Sequence, residues 1–173
     1  MTGTLPLNAE QLAAYFALME VSSLLQHAVE RQLRTDGGLS YVQFEILARL
    51  SDAPDGELRM TDLADQIVYS RSGLTYQAAH LEKVSFVTRS PSLNDERSTT
   101  VSITATGRML LQRVLPGHIE LVREMLLTPI SKHDAAVLTD VLDTVRNHMR
   151  RAPSRSAAPR RRRERGRAAH DAP

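Results

Sequence analysis

A short polar segment between residues 70 and 80 carries the side chains with the clearest chemical potential. On a helix, its outward side chains would offer many hydrogen-bond donors and acceptors without the alternating Glu and Lys of a merely solvated surface. The helix-capping residue is Ser70, and the outward set is Arg71, Ser72, Thr75, Tyr76, Gln77, Ala79 and His80. Such groups can contact base edges or phosphates from within a DNA major groove. Gly73 allows either close backbone approach to a phosphate or tight packing against a neighbouring helix.

The elements around this segment follow a helix, turn, helix, strand, tip, strand order. Leu58 to Met60 is predicted as a very short strand, and a helix over 61 to 67 has Thr61 as its N-cap. After a tight turn at 68 and 69, Ser70 caps the polar helix, which runs to about Lys83. Strands are predicted at 86 to 89 and 100 to 103, with a polar hairpin tip at 90 to 99 between them. This order is typical of a winged helix-turn-helix.

Long helices flank this group and predict a mainly α fold. Residues 9 to 34 carry two apolar stripes, which indicates packing on more than one side and therefore an oligomer interface. Ser40 and Gln43 form a capping box for the next helix. Thr104 begins a helix to about Leu127, with a bend predicted at Pro116, and residues 131 to 149 carry one apolar stripe.

Composition excludes several classes of protein. The chain has no cysteine, so it has neither disulfides nor a thiolate metal site. The longest apolar run has eight residues and no signal peptide is recognised, so we expect no membrane partner and a cytoplasmic location. The six histidines form no known metal motif, although His27 or His118 beside a glutamate could be imagined as ligands. No catalytic motif is found, and we expect no enzyme, no cofactor and no metal.

Charge is distributed very unevenly along the chain. Residues 150 to 173 contain nine arginines against two carboxylates, a net charge of +7, while residues 1 to 149 carry −5. The isoelectric point near 9.3 therefore belongs to the tail and gives no argument for DNA binding by the rest. We predict that the tail is disordered; it is a solvated end, a non-specific DNA arm, or both.

Several motifs resemble the MarR family of transcriptional regulators. They are Met60 to Ile67, Ser70 to Thr75, Leu81-Glu82-Lys83, Val87-Thr88-Arg89, Asp95-Glu96-Arg97-Ser98, and Val101 to Thr104 with Gly107. The resemblance spans about residues 10 to 149 and implies a homodimer, intertwined through its first and last two helices, on a pseudo-palindromic DNA operator. It also implies that Arg97 enters the minor groove and that Asp95 helps to hold the wing. One departure is Ser85, where the family usually has glycine.

The complete prediction is a DNA-binding regulator, most often a repressor, that responds to a small aromatic ligand between the dimer helices and the DNA-binding lobe. Such a ligand would lie near Tyr15, Met19, Phe44 and Met109, which serve equally well as core residues. The predicted DNA contacts are Ser70, Arg71, Ser72, Thr75, Tyr76, Gln77, His80, Arg89, Asp95 and Arg97. The predicted divisions are a domain over 1–149, with a lobe at 58–104 and dimerisation helices at 9–34 and 105–149, and a tail over 150–173. Alternatives are a non-specific architectural DNA-binding protein and a protein-interaction module that has lost DNA binding.

Overall fold

The computed structural model describes residues 6–67, 69–92 and 95–151, with side chains undescribed at 95–97. Six helices and three strands are described, together with a π-helical turn at Arg123–Leu127. The helices are α1 Ala9–Gly37, α2 Tyr41–Asp52, α3 Met60–Ile67, α4 Arg71–Lys83, α5 Ala105–Val122 and α6 Lys132–Arg151. The strands are β1 Glu57–Arg59, β2 Val87–Ser92 and β3 Asp95–Ile103. The described residues divide into two compact units, with the division between Pro129 and Ile130. The mainly helical prediction with a small β wing is confirmed.

Polar caps fix where most of these helices begin. The hydroxyl of Ser40 accepts from the backbone N–H of Gln43, and the Gln43 side chain accepts from the Ser40 N–H, so the predicted capping box is present. Ser70 and Thr104 cap α4 and α5 as predicted. Thr61 was wrong as an N-cap, because α3 follows β1 directly and already includes Met60.

The three strands form one antiparallel sheet in the order β1-β3-β2. Leu58 pairs with Val101 and Val87 with Ile103, which brings apolar residues into the core. The prediction of a polar hairpin tip at 90–99 was wrong, since β2 and β3 continue well into these residues. Ser and Thr side chains suit a pleated edge, and Pro91 is accommodated because β2 is an edge strand.

The core of residues 1–129 is centred on α2. Ile46, Leu47 and Leu50 are fully buried, and their partners come from α3, α4, the sheet, α5 and the C-terminal end of α1. The core residues from these elements include Leu33, Leu63, Leu74, Leu81, Val101 and Val114. The rear faces of α3 and α4 therefore rest on a rigid apolar support, which fixes the direction in which α4 presents its other face.

Two helices leave much of their apolar surface exposed. On α1 the side chains of Tyr15, Phe16 and Leu24 are each more than half exposed, and α6 exposes six large apolar side chains. These six are Val137, Leu138, Val141, Leu142, Val145 and Met149. By length and composition alone α1 could also span a membrane, with a mean hydropathy of 1.2 over 18 residues. Uninterrupted apolar runs understated this, because Glu20, Ser22 and Ser23 break the apolar sequence of α1 without lowering its mean hydropathy much.

Candidate nucleic-acid interface

Helix α4 presents a polar face to solvent beside the β2–β3 hairpin. Leu74, Ala78 and Leu81 are buried on its inner side. The opposite side exposes Arg71, Ser72, Thr75, Tyr76 and His80, as the sequence predicted. Tyr76 is 70% exposed, which is unusual for an aromatic side chain and leaves its ring and hydroxyl available to a partner.

The cations around α4 differ in how freely they can bind an anion. Arg71 and Lys83 are exposed and form no ion pair with any described side chain. Arg89, at the start of the hairpin, donates from Nε and from a terminal nitrogen to one carboxylate oxygen of Glu82, at 2.8 and 2.6 Å. Its backbone N–H donates to the other oxygen. Arg89 therefore supports the junction of α4 and β2, and Glu82 competes with any anionic partner for its charge.

The Glu82–Arg89 pair also affects the ionisation of Glu82. Hydrogen bonds from Arg89 lower the pKa of this carboxyl below its ordinary value, with the Arg89 charge adding to the effect. Glu82 consequently remains ionised at neutral pH and keeps Arg89 in place.

Gln77 does not occupy the outward position that was predicted for it. Its side chain is only partly exposed and turns towards the N-terminus of α2, where its Oε1 accepts a hydrogen bond from Gln43 Nε2 at 3.0 Å. Helical spacing alone places Gln77 close to the outer face, but a polar partner on α2 draws the side chain towards the edge between the two helices. The carbonyl end of its amide is therefore occupied within the protein.

Gly73 is required by local packing at the start of α4. A Cβ at this position would lie 2.6 Å from the ring of Tyr69 and 2.8 Å from the capping hydroxyl of Ser70. Of the two explanations that the sequence allowed, this contact supports tight packing, although the neighbour is the turn before α4 rather than another helix. The role of Gly73 near a phosphate stays a prediction.

The base of the wing is held by three residues at the junction with α5. Ser85 adopts a left-handed conformation with φ of 61°, as expected for a position where glycine is usual. The Thr104 hydroxyl lies within hydrogen-bond distance of the carbonyl oxygens of Ser85 and Phe86, and it accepts from the N–H of Gly107. A Cβ at Gly107 would overlap the Phe86 carbonyl oxygen. This packing explains physically why threonine and glycine stand three residues apart here.

The predicted wing contacts lie further along the hairpin. Asp95 and Arg97 belong to β3, the strand that pairs with β2, so the hairpin carries both residues away from the core. Their side chains lie outside the described part of the structure, and so do residues 152–173 of the predicted tail. Their part in DNA binding stays a prediction.

A polar groove of about 260 Å³ runs beside α4, between it and the α1–α2 connection. It is lined by Arg34, Gly38, Ser40, Gln43, Tyr76, Gln77 and His80. Sequence reasoning missed Arg34 and Gln43 as neighbours of α4. For Gln43 the only signal was its capping box, which gave no indication that the other end of the same amide reaches α4.

The structure describes several of the residues that were suggested for ligands and metals, and their part in ligand binding stays a prediction. His118 packs its ring on Phe44, with 4.6 Å between centroids, and burial lowers the pKa of its imidazole. Phe44 belongs to the core, whereas Tyr15 and Met109 are more than half exposed. A cavity of about 430 Å³ is lined by six other residues of α5 and the turn after it. Among the described residues, no three His, Asp or Glu side chains are close enough together to hold a metal ion.

Comparison with known proteins agrees with this geometry. The MarR family model matches residues 39–99, from the N-terminus of α2 to the wing. YetL, a transcriptional repressor of Bacillus subtilis, is 30% identical over 112 residues, covering 65% of this chain and 66% of its own length. PecS, a transcriptional regulator of Dickeya dadantii, is 28% identical over 83% of this chain and 86% of its own. The crystal structure of Sco3205, a MarR family transcriptional regulator from Streptomyces coelicolor, in complex with DNA, matches with a TM-score of 0.83 and 29% identity, over 89% and 95% of the two chains.

Proposed function

The chain belongs to the MarR family of transcriptional regulators, and from this membership we propose that two copies of it bind one pseudo-palindromic operator. The observation that carries the proposal is the exposed polar face of α4, which rests on a rigid core and includes a cation without an ion-pair partner among the described residues. This is the arrangement expected of a helix that enters the major groove. The matched relatives are regulators of transcription, not enzymes.

The proposed DNA contacts combine helix and wing. On α4, Arg71 and Ser72 lie in the first turn, where free backbone N–H groups also attract phosphate. Tyr76 and His80 lie one and two turns further along the exposed side. On the wing, Arg97 would enter the minor groove, whose negative potential favours a guanidinium group. Ser70, Thr75, Gln77, Arg89 and Asp95 complete the proposed set.

Replacement of Arg71 by alanine tests the contribution of α4. We expect operator binding to weaken by about 1–3 kcal/mol, because alanine has no guanidinium group to bind the DNA. Arg97→Ala should weaken binding by a similar amount if the wing enters the minor groove. Arg49→Ala removes an exposed arginine from α2 and serves as the matched control. If Arg71→Ala and Arg49→Ala bind the operator equally well, with both folds intact, α4 is not the recognition helix.

The homodimer is supported by the apolar side chains that a single chain leaves exposed. The exposed stripe on α1 and the row on α6 are too extensive for a soluble monomer. Burial of such side chains between copies contributes about 1.5–3 kcal/mol for each one fully covered. We therefore assign residues 9–34 and 105–149 to dimerisation and residues 58–104 to the DNA-binding lobe of one 1–149 domain.

The exposed apolar face of α1 could serve either dimerisation or membrane binding. Two measurements distinguish these functions. In sedimentation at micromolar concentration the chain should form a dimer with no detectable monomer. In flotation with neutral lipid vesicles it should stay in the lipid-free fraction, as expected of a cytoplasmic regulator. A stable monomer, or flotation with the vesicles, would contradict the assignment.

Repression and its relief by a small aromatic ligand form the finer part of the proposal. A homodimer seated across a promoter would block transcription, and a ligand that changes the spacing of the two α4 helices would release it. Transcription from the bound promoter in vitro tests repression directly. A screen of aromatic acids for loss of operator binding tests the response to ligand.

A second candidate function rests on the nine arginines after residue 149. An architectural protein would use the same fold and coat DNA without sequence preference. Deleting residues 152–173, which removes seven of these arginines, should flatten the dependence of affinity on salt by about 0.9 in logarithmic slope for each phosphate that the tail neutralises. The preferred sequence should stay unchanged, because phosphate contacts carry no sequence information. Equal affinity of the intact chain for native and random duplexes would favour the architectural function.

A further inference from the structure

We propose that Gln43, a residue of α2, is a positioning residue that sets which chemical group α4 offers to DNA. Gln43 holds the carbonyl oxygen of Gln77, so Gln77 presents only its amino group to a hydrogen-bond acceptor on a base edge. The inference rests on the proposed function, since it needs α4 to enter the major groove. It goes further because it names the kind of base that this position accepts.

The orientation of the Gln43 amide is fixed by a backbone group that can only donate. The N–H of Ser40 points at the Gln43 side chain, and the atom 3.0 Å away must therefore be the acceptor, Oε1. The Nε2 end of the amide then faces α4. Gln43 is 8% exposed, so neither end can exchange its partner for solvent at little cost.

The orientation of the Gln77 amide on α4 is fixed in the same way. The atom 3.0 Å from Gln43 Nε2 must accept, which makes it Oε1 of Gln77. The Gln77 amide is thereby fixed with Nε2 on the far side. Two side-chain hydrogen bonds thus link the α1–α2 connection to the recognition helix. The donor at Ser40 determines which atom donates and which accepts in both.

The free end of Gln77 faces the solvent. Its Nε2 takes part in no hydrogen bond among the described residues, and it is not a buried atom without a partner. Gln77 also lines the open groove beside α4, between Tyr76 and His80. The exposed chemistry at this point is consequently an amino group with two N–H donors.

This polarity restricts what Gln77 can recognise. Adenine is read by an amide that gives a donor and an acceptor together, and Oε1 of Gln77 points at Gln43 on α2 with one lone pair already used, which disfavours this two-bond contact. Suitable partners are base edges that offer only acceptors, which are guanine through N7 and O6 and thymine through O4. At the base pair that Gln77 contacts, the operator should therefore carry guanine or thymine on the contacted strand.

Replacement of Gln43 by glutamate turns the donor that faces Gln77 into an acceptor. The shape of the side chain hardly changes. One carboxylate oxygen still accepts from the Ser40 N–H and keeps the capping box, while the other can only accept from Gln77. The Gln77 amide must then turn and present Oε1 to the DNA. At one base pair in each half-site we expect the preference to move by roughly tenfold in relative affinity towards cytosine or adenine, whose exocyclic amino groups donate.

The experiment compares the base preference of full-length variants on a randomised duplex library at pH 8, which favours the ionised form of the new carboxyl. Gln66→Glu adds the same charge to an exposed position on α3 and controls for repulsion from phosphate. Gln43→Met keeps the volume but frees Gln77, and it should broaden the preference at the same base pair. Thermal unfolding confirms that each variant is folded.

The outcomes separate this inference from the proposed function. A preference shifted at one base pair in Gln43→Glu and broadened there in Gln43→Met, with Gln66→Glu unchanged, supports the inference. If the unsubstituted chain selects a sequence but Gln43→Glu and Gln43→Met both keep its preference, the inference is wrong and the proposed function stands. If the unsubstituted chain selects no sequence, the proposed function fails and the inference fails with it.

Discussion

Replacing Ser85 by glycine is expected to stabilise the protein. Ser85 has a φ of 61°, and an L residue in this left-handed region costs about 1–2 kcal/mol. Its exposed hydroxyl makes no hydrogen bond to the described residues. The backbone bonds at this position, from its N–H to the Glu82 carbonyl and from the Thr104 hydroxyl to its own carbonyl, are available to glycine as well.

The magnitude follows from two opposing terms. Glycine removes the steric cost but adds freedom to the unfolded chain, which takes back about 0.4–1 kcal/mol. The net stabilisation should be about 0.5–1 kcal/mol, which raises Tm by about 2 °C for a domain of this size. Thermal unfolding of both proteins at one concentration measures the change.

Ser90→Gly is the matched control, because Ser90 lies on β2 at an exposed strand position. There glycine should lower Tm, since it weakens a strand without relieving strain. A lower Tm for Ser85→Gly, by an amount similar to the control, would refute the reasoning about the left-handed position.

Three further predictions concern the junction of α4, the wing and α5. Gly107→Ala should destabilise the protein by more than about 2 kcal/mol, because the new methyl group overlaps the Phe86 carbonyl. Gly38→Ala, at a φ of 65° but in open space, should cost only about 1 kcal/mol in the same denaturant titration. Glu82→Gln should release Arg89 for phosphate and steepen the salt dependence of DNA binding by about 0.9 in logarithmic slope; an unchanged slope would contradict this. In the unsubstituted protein the pKa of Glu82 is lowered below its ordinary value of 4.5. The Glu82–Arg89 pair therefore stabilises the fold above pH 4.5 and loses this effect as the pH falls through the lowered pKa. The difference in the free energy of unfolding between the unsubstituted protein and Glu82→Gln should therefore be constant above about pH 5 and disappear in stronger acid.

The parts of the fold that could be predicted from sequence are those with a local cause. Ser40, Ser70 and Thr104 each cap a helix by bonding a backbone N–H three residues ahead, and both partners are visible in the sequence. The departure at Ser85 came from the family resemblance, which indicated a position where glycine is usual, and Ser85 adopts the left-handed conformation there. Thr61 failed because the preceding strand ends directly in the helix and leaves no separate capping position.

The parts that could not be predicted depend on contacts between distant residues. Gln77 lies where helical spacing suggests an outward side chain, but Gln43, 34 residues earlier, draws it towards the edge between α2 and α4. Arg89 was predicted as a DNA contact, yet Glu82 on the preceding helix holds it through three hydrogen bonds. The wing strands proved longer than predicted because pairing across the hairpin, rather than local apolar alternation, keeps them extended. In each case the local pattern was read correctly, and a tertiary partner decided the outcome.

Selection from a randomised duplex library by the full-length chain, combined with the stoichiometry of the resulting complex, tests whether two copies of the protein read one operator together. A homodimer that reads DNA through two α4 helices should enrich an inverted repeat with half-site centres about 10 base pairs apart, and it should bind with two chains per duplex. Deletion of residues 152–173 should leave that repeat unchanged. Enrichment of no sequence, or a complex with one chain per duplex, would contradict the claim.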